Sequence, residues 1–217
     1  MMIQMEQPPA TDSVLHKWAW AGMRSALILL VSGLLISCTL TQPSANSRYY
    51  LLSSQPLPSL GSDSDHSRLS ENVYVIGPLN FADYLQRSSV VTRVSESEYE
   101  VAKLEQWGGK IEDEFQIALL KNLANLKPGS RFVRYPSFVS LPSSVSLQAD
   151  IMRFDSQLGG ISRLEVSWAW IQQNQILASG EFSRSMPAGS NTESAVKAQS
   201  ALVRAFSEAL AERLNSL

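Results

Sequence analysis

The chain has 217 residues and a formal net charge of −2. A chain of this length can bury a real core as one domain. The near-balanced charge, with no cluster of Lys and Arg along the sequence, argues against a nucleic-acid-binding surface.

An apolar run at residues 26–36 follows Arg24 near the amino terminus. A helix that spans a bilayer needs about 20 apolar residues, so this run is too short to span. Its length is typical of the apolar core of an export signal. We therefore predict a signal peptide over residues 1–37. The true start is either Met23, which would make the first 22 residues an extension, or Met1, which gives a long amino-terminal segment that carries Lys17 and Arg24 before the run.

Cys38, the only cysteine in the chain, stands two residues after the end of this run. Leu35-Ile36-Ser37-Cys38 resembles the lipobox of bacterial lipoproteins. The resemblance implies cleavage just before Cys38 and acylation of its thiol, with palmitate-type chains that hold the protein stably once more than one is attached. Thr39 stands where an aspartate would retain an enterobacterial-type lipoprotein in the inner membrane, which favours the outer membrane. The alternative for Cys38 is a buried free thiol.

The predicted mature protein consists of an acylated tether at residues 38–47 and one domain at residues 48–217. With no second cysteine it has no internal disulfide. His66 is its only histidine, in a loop with Asp63 and Asp65. A histidine among small polar residues is a poor partner for a catalytic serine, and the loop lacks the glycine and distal glutamate of a calcium site. We predict a solvated linker, no catalytic residue, no metal and no cofactor.

Alternating and β-branched segments predict a series of strands. They lie at residues 48–52, 73–77, 89–95, 98–104, 131–135, 145–155, 161–172 and 175–186. Gly77-Pro78 is expected to stop the second strand, residues 80–87 to form a turn or a single helical turn, and the third and fourth strands to form a hairpin. Tyr49 and Tyr50 should point to opposite faces, one toward the core and one exposed near the membrane.

The strand at residues 161–172 has a period of two, which indicates a sheet with one buried face. Leu164, Val166, Trp168 and Trp170 share that face. The two tryptophans are expected to pack against helices, and the alternative is an aromatic face that contacts lipid.

Two segments have the apolar spacing of amphipathic helices. The first covers residues 110–126 and presents Ile111, Phe115, Ala118, Leu119, Leu123 and Leu126. The second runs to about Asn215 and presents Ala198, Leu202, Phe206, Leu210 and Leu214. Ser190 and Glu193 match a capping box at its start. The order of elements predicts an α+β fold, with an antiparallel-rich mixed sheet and two amphipathic helices on one face.

Several segments, taken in order, resemble the ABC-type transport auxiliary lipoproteins. They are the lipobox at Cys38, Arg48-Tyr-Tyr-Leu-Leu52, Gly77-Pro78, Asp83-Tyr84-Leu85-x-Arg87, Val90-Val-Thr-Arg93, Trp107, Arg153-Phe-Asp155 and Trp168. Together they cover nearly all of the mature chain. Two departures are the long loop at residues 53–70 and Gly108-Gly109 after Trp107.

The resemblance implies a non-catalytic subunit that works with mammalian-cell-entry (MCE) domain proteins and inner-membrane transporter components. Such systems move phospholipid between the two membranes and maintain envelope integrity. The implied location is the periplasmic face of the outer membrane, and the implied fold is similar to the amino-terminal domain of the TolB translocation protein. Tyr84, Arg87 and Arg93 are candidate partner contacts. A homo-oligomer would suit a conduit, although nothing in the residue spacing demonstrates one.

Two alternatives remain open. One is a periplasmic lipid- or peptidoglycan-acting hydrolase tethered by its lipid anchor, for which no carboxylate pair in the sequence is convincing. The other is a scaffold for outer-membrane assembly, which the identity of the partners would separate from a transport subunit.

Overall fold

The computed structural model describes residues 45–54, 72–137 and 144–216. Within these ranges, eight strands form one mixed sheet and two helices pack on it. The strands are β1 Arg48–Tyr50, β2 Val73–Phe81, β3 Ser89–Arg93, β4 Tyr99–Trp107, β5 Arg131–Arg134, β6 Val145–Ser156, β7 Ile161–Gln172 and β8 Gln175–Pro187. The helices are α1 Ile111–Leu126 and α2 Thr192–Leu214. The predicted α+β class is confirmed. Cys38 and the loop that contains His66 lie outside the described residues.

Strand β6 organises the sheet. Along one edge it pairs with β7 in antiparallel register from Ser146 to Ser156, and β7 pairs in turn with β8. β2 and β3 share its other edge. β2 pairs in parallel with the first half of β6, and Thr92 of β3 stands opposite Ser156 at the end of β6. The turn between β2 and β3 consequently lies beside the carboxyl-terminal half of β6.

The predicted hairpin of β3 and β4 is confirmed, and a tight turn connects β7 to the antiparallel strand β8. In that connection Gln173 and Asn174 both have positive φ angles, as a two-residue hairpin turn requires. β1 then pairs in parallel with the end of β4, at an edge of the sheet.

The expectation that Gly77-Pro78 stops the second strand is wrong. β2 continues to Phe81 because a shift in register between Ile76 and Leu79 accommodates the dipeptide as an irregularity in its pairing with β6. Gly77 has a φ of +112°, which a residue without Cβ adopts easily. This extension carries the chain to the turn that precedes β3.

One hydrophobic core lies between the sheet and the two helices. Trp170 is fully buried and Trp168 nearly so, which places both in the core and not on a lipid-contacting face. Tyr50 packs against this core while Tyr49 is exposed, so the prediction of opposite faces for the pair is confirmed.

Both helices are close to their predicted bounds, with two local differences. Leu126 at the end of α1 is 40% exposed, since the apolar face of that helix is buried only as far as Leu123. The predicted cap of α2 is wrong: Asn191, not Ser190, accepts from the backbone N–H of Ser194, and Glu193 pairs with Lys197 instead. Within the described residues, no helix combines the length and apolarity needed to cross a membrane.

Candidate functional site

A buried carboxylate at the end of β6 collects hydrogen bonds from three parts of the chain. Asp155 is 2% exposed. It accepts from the Tyr84 hydroxyl at 2.8 Å, from Arg93 Nη2 at 2.6 Å and from Arg153 Nε at 3.2 Å. Arg93 Nε adds a bond shared between both carboxylate oxygens, at 3.1 Å to each. We call Tyr84, Arg93, Arg153 and Asp155 the Asp155 cluster.

The topology of the sheet explains why these residues meet. Tyr84 lies in the turn between β2 and β3, and Arg93 is the last residue of β3. Both residues therefore lie beside the edge of β6 that pairs with β2 and β3. Arg153 and Asp155 are residues of β6 itself. A break in the β6–β7 register between Ile151 and Arg153 precedes them. The cluster thus joins the turn, the β3–β4 hairpin and the end of β6.

Arg93 also holds the tip of the β3–β4 hairpin. Its Nη1 donates to the carbonyl of Glu96 at 2.9 Å and, at 3.4 Å, to that of Ser95. Its Cζ lies 5.9 Å from the centre of the Tyr84 ring, within the range of a cation–π contact. The Tyr84 ring is in turn 5.5 Å from that of Tyr99, the first residue of β4. Arg93 therefore links the tip of the hairpin to Asp155 on β6.

The charges in the cluster determine its protonation. Burial by itself raises the pKa of the Asp155 carboxyl, but the hydrogen bonds from Arg93 and Tyr84 and the charge of Arg153 outweigh burial and hold this pKa below its usual value. Burial, and then the hydrogen bond to Asp155, raise the pKa of Tyr84 well above its ordinary value. At neutral pH the cluster is an ionised aspartate between two cations and a neutral phenol.

This arrangement favours a structural role over acid–base chemistry. A carboxylate offers about four acceptor positions, and four donor groups already reach Asp155. A general base needs a free lone pair within reach of the proton that it removes. In the described ranges, no group of three or more His, Cys, Asp or Glu side chains is placed to hold a metal ion.

The structure brings together two of the candidate partner contacts and separates the third. Tyr84 and Arg93 meet in the Asp155 cluster. Arg87 is exposed and lines a cleft of about 540 Å³ between the β2–β3 turn, the end of β4 and the start of α1. Cys38 lies outside the described residues, so its lipidation stays a prediction.

Sequence reasoning did not select Arg153 and Asp155 as site residues, although both stand in a segment of the family resemblance. The available signal was the pattern Arg153-Phe-Asp155 near the end of a predicted strand. An alternating strand places its first and third residues on one face. That pattern therefore predicts the two side chains side by side, but it does not reveal a second arginine from a distant strand.

Comparison with known proteins assigns the family. A family model described as the ABC-type transport auxiliary lipoprotein component matches residues 50–211. The match spans most of the chain and all the described strands except the first two residues of β1. The protein therefore belongs to the ABC-type transport auxiliary lipoprotein family, as the ordered sequence segments predicted. A comparison with curated proteins finds no match.

Solved structures show the same fold at low sequence identity. An uncharacterized protein is 17% identical, with a TM-score of 0.65, and the match covers 78% of this chain and 99% of that one. A protein of family DUF330 from Xanthomonas campestris is 16% identical, with a TM-score of 0.59, over 76% and 93% of the two chains. A PelC dodecamer from Paraburkholderia phytofirmans is 11% identical, with a TM-score of 0.40, over 65% of this chain and 86% of that one.

Proposed function

We propose that this protein is a non-catalytic outer-membrane lipoprotein subunit of an MCE/ABC-type system that transports phospholipid between membranes and maintains envelope integrity. The observation that carries the proposal is the family match over residues 50–211, whose description is a transport auxiliary lipoprotein component. In this proposal Cys38 is acylated, and the folded domain stands on the periplasmic face of the outer membrane. Its partners are an MCE-domain protein and components of the inner-membrane transporter.

The contacts of Asp155 support a structural role for this carboxylate and not an acid–base one. The Asp155 carboxylate is buried and saturated by donors, and its lowered pKa makes it a weak proton acceptor. The cluster instead gives the β3–β4 hairpin a defined position on the sheet. A subunit that binds a larger machine benefits from a contact surface that is already ordered, since less conformational entropy is then lost on binding.

The test of this function is an affinity purification from crosslinked envelopes, read by mass spectrometry. Wild type should recover an MCE-domain protein and transporter components. Cys38→Ala should lose membrane attachment and reduce that recovery, while the folded domain remains intact. Recovery of cell-wall or assembly factors alone would contradict a transport role. A Cys38→Ala protein found in the outer membrane at the wild-type level would contradict lipid anchoring.

The candidate contacts need separate treatment, because two of them also hold the fold together. Arg87→Ala tests the partner surface directly, since the Arg87 side chain is exposed and makes no ion pair among the residues described. A reduced yield of the partner with an unchanged melting temperature is the expected result. Arg204→Ala is the matched control, because Arg204 is an exposed arginine on α2 whose ion pair with Glu208 is also exposed. Equal recovery with both variants would exclude Arg87 from the contact.

A further inference from the structure

Three apolar side chains are exposed together where β1 borders β4. Tyr49 is 66% exposed, Leu51 60% and Leu104 39%. Tyr49 stands opposite Gln106 in the parallel register of the two strands. Because side chains alternate along a strand, Leu104 lies on the same side as Gln106 and Tyr49, away from the core face. Leu51 directly follows β1, and its side chain lies over Gly108. We call these three side chains the β1 edge surface.

The backbone under the β1 edge surface is firmly held. The N–H of Gly108 donates to the Tyr50 carbonyl at 2.7 Å. Leu51 lies directly over Gly108: a Cβ at that glycine would be 2.6 Å from Leu51 Cδ2. The next residue, Leu52, is buried in the core, and the N–H of Ser53 donates to Ser200 Oγ on α2. The exposed tyrosine and leucine are therefore presented on an ordered support.

The stretch of chain between Cys38 and β1 sets how far β1 can lie from the membrane that holds Cys38. Ten peptide steps separate Cys38 from Arg48, the first residue of β1. Even fully extended they reach no more than about 35 Å. If Cys38 is acylated, as the proposed function states, β1 is the described element that begins closest along the chain to the bilayer. A tyrosine with an apolar ring and a polar hydroxyl is the residue type enriched at the boundary between membrane and water.

The neighbouring charges favour a neutral lipid surface as the occupant. Arg48 stands opposite Glu105 in the register of β1 and β4, and Lys103 precedes Glu105 by two residues. By the same alternation, these three charged side chains lie on the opposite face of the two strands from Tyr49 and Leu104, so none of these charges stands on the β1 edge surface. Attraction to anionic lipid grows with the number of basic residues near the membrane. Contact here should therefore depend on apolar burial.

We propose that the β1 edge surface of Tyr49, Leu51 and Leu104 sits in the interfacial layer of the membrane that holds Cys38. This inference rests on the proposed lipid anchor and adds an orientation to it. β4 has nine residues, from Tyr99 beside the hairpin tip to Trp107, which pairs with Tyr50 of β1. At about 3.3 Å per residue the hairpin tip is then more than 20 Å from the β1 end. The Asp155 cluster and the hairpin would face the periplasm, where a protein partner can reach them.

The experiment measures the depth of single side chains in the acylated full-length protein. Tyr49→Cys, Leu51→Cys and Ile176→Cys each add one free thiol for a polarity-sensitive nitrobenzoxadiazole label, because acylation blocks the thiol of Cys38. Ile176 is the matched control: it is 65% exposed, like Tyr49, but stands on β8 at the far side of the sheet. Each protein is reconstituted in phosphatidylcholine vesicles, with and without spin-labelled phosphatidylcholine.

Labels at positions 49 and 51 should emit at shorter wavelength in vesicles and be quenched by the spin-labelled lipid, while the label at position 176 should do neither. Emission and quenching that are the same at all three positions would overturn the proposed orientation while leaving the anchor intact. A response at positions 49 and 51 only after an MCE-domain protein is added would also overturn it, because the surface would then be a protein contact.

The intact mass of each variant separates this inference from the anchor itself. An acyl mass increment with no labelling of Cys38 shows that the anchor is present, so that the fluorescence tests orientation alone. A mass without acyl chains, with label on Cys38, would overturn the anchor and the orientation together. Repeating the measurement at high salt should leave the response at positions 49 and 51 unchanged, and its loss there would show that charge, not apolar contact, holds the surface.

Discussion

The Arg93 guanidinium and the Asp155 carboxylate form a bidentate ion pair across 62 residues of sequence, with Nη2 at 2.6 Å from Oδ2 and Nε at 3.1 Å from both oxygens. The carboxylate is almost completely buried and the arginine is 15% exposed. Planar, two-point contacts of this kind are the strong form of a salt bridge. The backbones of β3 and β6 are paired only at Thr92 and Ser156. The ion pair therefore adds a side-chain link between these two strands.

Replacing Asp155 with asparagine should destabilise the protein strongly. The substitution keeps the size of the side chain but leaves two arginines without their anion in a shielded site. Breaking a buried pair by removing one partner costs about 3–5 kcal/mol. Urea unfolding of the Cys38→Ala protein, which needs no detergent, measures the difference.

Asp113→Asn is the matched control for that substitution. Asp113 pairs with Arg134, but both side chains are about half exposed. Exposed ion pairs contribute about 0–1 kcal/mol. Equal losses of stability in the two variants would show that the Asp155 cluster is no more than a surface pair.

Acid should remove the contribution of the Arg93–Asp155 pair. The folded protein lowers the pKa of Asp155. The stabilisation is therefore complete above the pKa of an unfolded aspartate, about 3.9, and is lost as the pH falls through the lower folded value. The difference in unfolding free energy between wild type and Asp155→Asn should be constant near neutrality and shrink below about pH 4. Urea titrations between neutral and acidic pH test this; a difference that grows on acidification would contradict it.

Gly77→Ala should be more damaging than Gly159→Ala. Both glycines have positive φ angles, +112° and +73°. An added Cβ at Gly159 meets no atom within 4 Å, whereas at Gly77 it would stand 3.0 Å from Tyr135 Cβ and from Gln116 Nε2.

A backbone conformation disfavoured for non-glycine residues costs about 1–3 kcal/mol, so Gly159→Ala should show that cost alone. Gly77→Ala should exceed it, because the contacts around Gly77 must also move. Thermal or urea unfolding of both variants gives the comparison, and equal losses would mean that the backbone angle alone sets the penalty.

Phe206→Ala should open a cavity in the core. The Phe206 ring is fully buried on α2 and lies 5.1 Å from that of Phe182 and 6.5 Å from that of Phe115. Truncation of a buried phenylalanine costs about 3–5 kcal/mol.

Leu126→Ala is the control for this truncation, since Leu126 belongs to a predicted apolar face but is 40% exposed. Its loss should stay near or below about 1 kcal/mol, in proportion to the smaller area that it buries. An unfolding free energy for Phe206→Ala equal to that of wild type would show that α2 does not pack on the sheet as described.

The secondary structure was largely predictable because its signals are local. The period of two in β7 and the helical spacing in both helices identified the buried face, and Trp168 and Trp170 lie in the core as the pattern indicated. The errors occurred where several local solutions compete. Gly77-Pro78 is compatible with a strand end or with an irregular strand. The pairing of β2 with β6 on both sides of this dipeptide makes it an irregularity within β2.

The candidate site was predictable only in part. The family resemblance selected Tyr84 and Arg93, but it did not show that both bind Asp155, which is 71 residues from Tyr84 and 62 from Arg93. Sequence spacing contains no information about which distant strand ends meet. The exposure of Arg87 is likewise a consequence of where the β2–β3 turn rests on the sheet.

The amino-acid sequence by itself determined the alternation of strands, the two apolar helix faces and the order of segments that identifies the family, because each depends on side chains that are near one another along the chain. The tertiary structure decided that β2 and β3 share one edge of β6, that an aspartate is held between two arginines there, and that Tyr49 and Leu51 remain uncovered at the β1 edge. These features depend on which surfaces are left over when all the strands have paired and the core has closed.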